Sequence, residues 1–260
     1  MTHMAIIEPW WATEFRPYTT QHVLVLIVVG VLVAGALTLG LRWRDRAPHR
    51  ERLMRRLWAW AVIPTQLWHT IYWLLPDQFD IADSLPLHVC DLIVWIVPVA
   101  LLTSLRWSHA LLYYVGIGLS ILGFATPVLR EGHTNWYFWL FWISHTQIVA
   151  SALYLCVVMR FRPSWRDLLT TMTIFFAYVA IILPTNIIFS LHYGYIGNVP
   201  QPSYITKLGV WPYRLLAMTA IMFVAYVILW APWAILSGRA HQPTERRRVD
   251  VPAGDDHPDT

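Results

Sequence analysis

One cysteine, three histidines and an aspartate stand out, because each sits in a stretch that is otherwise apolar. Cys90 and Asp91 close the segment Leu85-Pro86-Leu87-His88-Val89-Cys90-Asp91, with His69 before it and His145 well after it. Gln66, Gln147 and Asn186 are uncharged polar neighbours in similar settings. A thiol beside an imidazole is the minimum for covalent acyl chemistry. The thiolate attacks, and the imidazole removes its proton and later returns it to the leaving group.

Spacing decides which imidazole serves. In a regular helix His88 and Asp91 are roughly 60° apart and share a face, whereas His88 and Cys90 differ by roughly 200°. The base for Cys90 therefore comes from another helix, and His145 is the candidate. Pro86 suits the first turn of a helix. Cys90 then lies about one turn from a helix N-terminus, where the dipole favours an anion. The expected site is Cys90 and His145 as the catalytic pair, with His69, His88, Asp91 and Asn186 binding substrate or supporting it. No helix offers the i, i+4 histidines of a metal site, and neither a metal nor a cofactor is expected. Cys156, between Leu155 and Val157, reads as packing.

These residues must be positioned by membrane helices. The chain has 260 residues, 57% apolar and only 13% charged, against about 25% charged in an average soluble domain. A formal charge of +4 makes no case for nucleic acid, and two cysteines exclude a disulfide scaffold or a C-x-x-C zinc module. Sixteen Trp and 12 Tyr suit a protein with long membrane interfaces. A spanning helix needs about 20 mostly apolar residues, and seven stretches meet or approach that length: 21–41, 56–75, 87–105, 108–126, 136–159, 167–190 and 211–236.

Lys207 is the only lysine, so the basic residues are nearly all arginine. With alternating spans, 15 of the 19 basic residues fall on one side and four on the other. Cytoplasmic loops retain Lys and Arg, which places the N-terminus outside and the C-terminus in the cytoplasm. The resulting expectation is an all-α, polytopic protein of the cell membrane. It has an outer segment at 1–20, a bundle of seven transmembrane helices over 21–236 and a disordered cytoplasmic tail at 237–260, and its partners are membrane lipids. The Arg42 to Arg56 run faces anionic headgroups in this topology. Counted at about 1.5 Å per residue, His69 lies roughly 9 Å from the outer surface, Cys90 and Asn186 roughly 6 Å, and His145 roughly 13 Å. Four helices thus bring polar groups to one layer. Ionisable groups inside a span cost about 2.5 to 3.5 kcal/mol on insertion scales, which makes them site candidates.

Trp10, Trp11, Trp43, Trp107, Trp136, Trp211 and Trp233 read as interfacial anchors, and Trp95 and Trp142 as lining of a pocket. Pro64, Pro98 and Pro184 fall within spans and are expected to kink them.

The Leu85 to Leu92 segment resembles a signature of the YwaF family of bacterial integral membrane proteins. That family is related to a eukaryotic membrane acyltransferase family that moves fatty acyl chains between phospholipids without coenzyme A. The resemblance covers residues 20 to 236. It extends to His145 and to Leu191-His192-Tyr193-Gly194-Tyr195-Ile196 followed by Leu208-Gly209-Val210-Trp211-Pro212-Tyr213. Family members usually carry Gly-Thr-Asn where this chain has Ser190-Leu191-His192. The resemblance implies that Cys90 is the acyl-accepting nucleophile and His145 its base. Two functions follow from these residues: a transacylase acting through a Cys thioester, or a seven-helix sensor or proton-coupled carrier built on the His and Asp cluster. A retinal Schiff base has no lysine within a helix to form on, since Lys207 lies in a loop. A metal or haem site from His88, Cys90, Asp91 and His145 ranks last.

Overall fold

The computed structural model describes residues 14–82, 84–199 and 203–240. Its elements are α1 (Thr20–Arg46), α2 (Pro48–Leu74), α3 (Val89–Leu102), α4 (Arg106–Gly118), α5 (Leu122–Ala125), α6 (Trp136–Val157), α7 (Trp165–Phe189), a 3₁₀ turn (Tyr193–Tyr195), α8 (Ser203–Thr206) and α9 (Tyr213–Ala240). Among the described residues the only β pairing is a bridge between Glu14 and Glu131.

Each of the seven apolar stretches is helical. Five are long and apolar enough to cross a membrane: α1, the 106–125 stretch of α4 and α5, α6, α7 and α9. The two others are α2 and α3. The first turns of α2 carry arginines, and Trp, Gln66 and His69 dilute the rest. α3 has 14 residues, shorter than the 87–105 expected. The chain before it stays extended, with His88 at φ −67°, ψ 151° as N-cap. Pro86 therefore precedes α3 and does not sit in its first turn. His88 shares no helical face with Asp91, and Cys90 is the second helical residue. At the other end α9 continues to Ala240, so the tail expected from 237 begins no earlier than 241. That tail, Trp10 and Trp11 lie outside the described residues.

The bundle is apolar inside and out. Val94, Val97, Leu112, Tyr114, Ile148 and Leu155 of α3, α4 and α6 are almost fully buried at its centre. Val31, Ile181, Ile188 and Leu216 are between 66% and 72% exposed on the rim, an outward apolar surface that lipid, not water, would cover. Cys156 is buried in the core. α7 begins with a capping box, in which the Ser164 hydroxyl accepts from the Asp167 N–H and the Asp167 carboxylate accepts from the Ser164 N–H. Arg106 of α4 grips the same carboxylate with two hydrogen bonds of 2.8 and 2.6 Å. At the same end of the bundle, Arg55 of α2 donates to Glu51 at 2.8 Å and also to the Leu101 carbonyl at the end of α3. The Tyr154 hydroxyl of α6 donates to Glu51 at 2.9 Å. Polar clamps at this end add to helix sides that pack mainly through apolar contact, with side-chain hydrogen bonds such as Trp58 to Ser151 and Gln147 to Thr65 between α2 and α6.

Candidate functional site

The segment that delivers Cys90 is pinned by tyrosines. The Tyr193 hydroxyl donates to the Ile81 carbonyl and accepts from the Leu85 N–H at 3.1 Å. The Tyr178 hydroxyl of α7 donates to the Leu87 carbonyl at 2.8 Å. Leu85 and Leu87 pack beside Ile182, Leu191, Tyr193 and Ile196, so their apolarity serves packing beneath a loop and not a longer helix. Tyr193 is itself held by Asn186, whose amide donates to the Tyr193 carbonyl at 2.8 Å and whose oxygen accepts from the Tyr193 N–H at 3.1 Å. Gly194 follows at φ +64°, where a side chain would both strain the backbone and meet the Tyr178 ring. Its N–H points at His88 Nδ1, 3.4 Å away. The end of α7 therefore sets where α3 begins.

A cavity of about 340 Å³ opens beside that start, within the roughly 300–1,000 Å³ of ligand pockets. Its polar lining includes Gln66 and His69 of α2, His88, Cys90 and Asp91 around the start of α3, and Ser144 and His145 of α6. The remaining lining is mostly apolar, including Leu119, Phe141, Phe175, Leu215, Met218 and Met222, with the hydroxyl-bearing Thr126, Tyr137, Tyr195 and Thr219 among them. Five of the six residues singled out in the sequence, Cys90, His145, His69, His88 and Asp91, meet here from three helices. Asn186 does not reach the wall; it is fully buried and both ends of its amide serve Tyr193. Trp95 packs in the main core and Trp142 packs with Phe15 and Phe138, so neither lines the cavity. Trp73 does.

Cys90 and His145 approach the same turn of chain. After Gly118 the helical ladder slips: Ser120 N–H donates to the Val115 carbonyl at 2.8 Å, an i to i−5 bond, and the chain restarts as α5. The slip presents Ser120, whose hydroxyl lies 3.6 Å from the Cys90 sulfur. One turn on, Gly123 N–H donates to the Ser120 carbonyl at 3.1 Å. The His145 ring lies directly against Gly123, where any Cβ would overlap it.

His145 is oriented by its own helix. Nδ1 is 2.9 Å from the Phe141 carbonyl, which can only accept, so Nδ1 carries the proton and Nε2 carries the lone pair. The Phe141 ring lies tilted against the imidazole, with centroids 4.2 Å apart and planes at 32°. His69 Nδ1 stands 4.0 Å from the Asp91 carboxylate. Among the described residues no three His, Cys, Asp or Glu side chains form a group that could hold a metal ion.

Sequence reasoning missed three members of this site. Ser120 and Gly123 are small residues in an apolar span, and only the slipped turn gives them a role. Gln66 was visible as a polar residue in an apolar helix and was not counted in the site. It lines the cavity while 1% exposed.

No curated protein matches the chain, and no solved structure does. A family model matches residues 17–230, which take in every helix described above except the end of α9. The chain belongs to the TMEM164 family, a family of membrane proteins.

Proposed function

We propose that this protein is a membrane transacylase that moves fatty acyl chains between phospholipids through a thioester on Cys90. The observation that carries the reading is that Cys90 and His145 line one largely apolar cavity, the thiol beside Ser120 and the imidazole beside Gly123 of the same short turn. The resemblance of Leu85 to Leu92 to the bacterial YwaF proteins and their acyltransferase relatives adds to it. So does membership of a membrane protein family. In this reading α2 and α3 complete a seven-helix bundle in the cell membrane, with the N-terminus outside, and the lipids are those of the outer leaflet.

His145 Nε2 takes the Cys90 proton as the sulfur bonds to the carbonyl carbon of a phospholipid ester. The tetrahedral oxyanion collapses, the carbon–oxygen bond to the glycerol breaks, and the leaving oxygen takes the proton from His145. The thioester then undergoes the reverse sequence with the hydroxyl of a lysophospholipid, which regenerates the thiol. Apolar walls exclude water and so favour transfer over hydrolysis. No coenzyme is consumed. The test is a chase of labelled acyl chains from phospholipid into lysophospholipid in membranes containing the protein. Transfer lost in Cys90→Ala and reduced about 10²- to 10⁴-fold in His145→Gln supports the reading. Undiminished transfer in Cys90→Ala overturns it.

The His69 to Asp91 contact of 4.0 Å favours a second reading, a sensor or proton-coupled carrier. A carrier tolerates Cys90→Ser. A thiol enzyme loses most of its rate, because a serine hydroxyl is far less ionised than a thiol.

A further inference from the structure

An acyl-transfer cavity needs more than a nucleophile and a base, because negative charge develops on the carbonyl oxygen as the sulfur adds. Asn186 and His69, two of the polar residues singled out in the sequence, have groups that could donate to that oxygen. The Asn186 amide is spent on Tyr193, and His69 faces Asp91. Another amide has no such commitment. The Gln66 Nε2 has no hydrogen-bond partner among the described residues, although the residue is 1% exposed and lines the cavity with Cys90 and His145. A buried amide donor without a partner costs about 1–3 kcal/mol, a cost that a carbonyl oxygen entering the cavity beside Gln66 would relieve.

The start of α3 supplies a second donor. His88 at the N-cap makes no side-chain cap bond, and its carbonyl takes the N–H groups of Asp91 and Leu92. The N–H groups of Val89 and Cys90, first and second in the helix, have no acceptor within it. Both residues line the same cavity. The positive end of the α3 dipole lies there as well.

We infer that Gln66 Nε2 and the backbone N–H of Cys90 together hold the carbonyl oxygen of the acyl group, as donors to the oxyanion formed when the Cys90 sulfur adds. This rests on the transacylase reading and names the substrate atom that its site grips: the carbonyl oxygen of a fatty acyl ester or thioester. Gln66 sits one helical turn before His69, on the same face of α2. The oxygen would thus lie on the α2 side of the reacting carbon, with the His145 base on the Gly123 side.

The experiment compares wild type with Gln66→Met, which keeps length and removes the donor, and Gln66→Leu, which removes the donor and keeps an apolar side chain of similar bulk. Three quantities are read: the acyl-transfer rate with its kcat and KM, inhibition by a long-chain trifluoromethyl ketone, and the rate at which iodoacetamide alkylates Cys90. The ketone accepts the sulfur at its carbonyl carbon, and the resulting oxyanion occupies the place of the transition-state oxygen. The expected result is a kcat about 10²- to 10³-fold lower in both variants, with KM within a few fold. Ketone inhibition weakens in parallel, and the alkylation rate stays at the wild-type value. A kcat within about threefold of wild type in either variant overturns the inference. So does a fall in kcat matched by an equal fall in alkylation, which marks damage to the fold. Wild-type protein that transfers no acyl chain overturns the transacylase reading and this inference with it. Transfer with unaltered kcat in the variants overturns only the role of Gln66.

Discussion

The His145 imidazole occupies the space that a side chain on Gly123 would fill. The ring is held there from behind by the Phe141 carbonyl and ring, so it has no room to retreat. One turn away on the same segment, Ser120 meets the Cys90 sulfur. A short slipped turn between α4 and α5 therefore fixes both partners of the candidate catalytic pair, although neither residue belongs to it.

Gly123→Ala should displace the His145 ring. Misplacement of a catalytic group by about 1 Å can cost about 10²-fold in rate, and a loss of that order in kcat is expected. The alkylation rate of Cys90 by iodoacetamide should fall as well, because the same imidazole takes the thiol proton. Acyl-transfer kinetics on purified protein check this, and a rate within a few fold of wild type would show that the ring position is not needed.

Tyr193→Phe removes one hydroxyl that ties Ile81 and Leu85 to the end of α7. Tyr193 is fully buried, while Ile81 is exposed and Leu85 half-buried, so water can replace part of the lost bonds and the expected cost is about 1 kcal/mol. The melting temperature in detergent should fall, and activity should fall further than the melting shift explains, because the released segment carries Cys90.

Glu51→Gln breaks the ion pair with Arg55 at the far end of the bundle. Both side chains are largely buried, at 10% and 20% exposure. The expected loss is about 3 kcal/mol, the lower end for breaking a buried pair, because Arg55 keeps the Leu101 carbonyl. Thermal unfolding checks this. Unlike Tyr193→Phe, the variant should retain wild-type transfer per folded molecule, since nothing in that network touches the cavity.

The helices were legible because lipid imposes a single rule, long apolar runs, and the seven runs all became helices. The start of α3 was misread for a physical reason. Leu85 and Leu87 are apolar because they pack beneath Tyr193 and Ile196, and apolarity alone does not tell a buried loop from a helical turn. The polar residues of the cavity were legible as charges and thiols out of place among apolar neighbours. Asn186 looked the same in sequence as Gln66, and only the return of the chain at Tyr193 separates them. The first closes a loop and the second faces a cavity. Gly123 and Ser120 carried no signal, because small residues in a membrane helix ordinarily serve close packing.

The most direct test of the central claim is intact-protein mass spectrometry of wild type beside Cys90→Ala, after incubation with phospholipid. The wild type should gain the mass of one fatty acyl chain, which hydroxylamine removes and which Cys90→Ala lacks. No increment under conditions in which acyl transfer proceeds, or the same increment in Cys90→Ala, would contradict a thioester at Cys90.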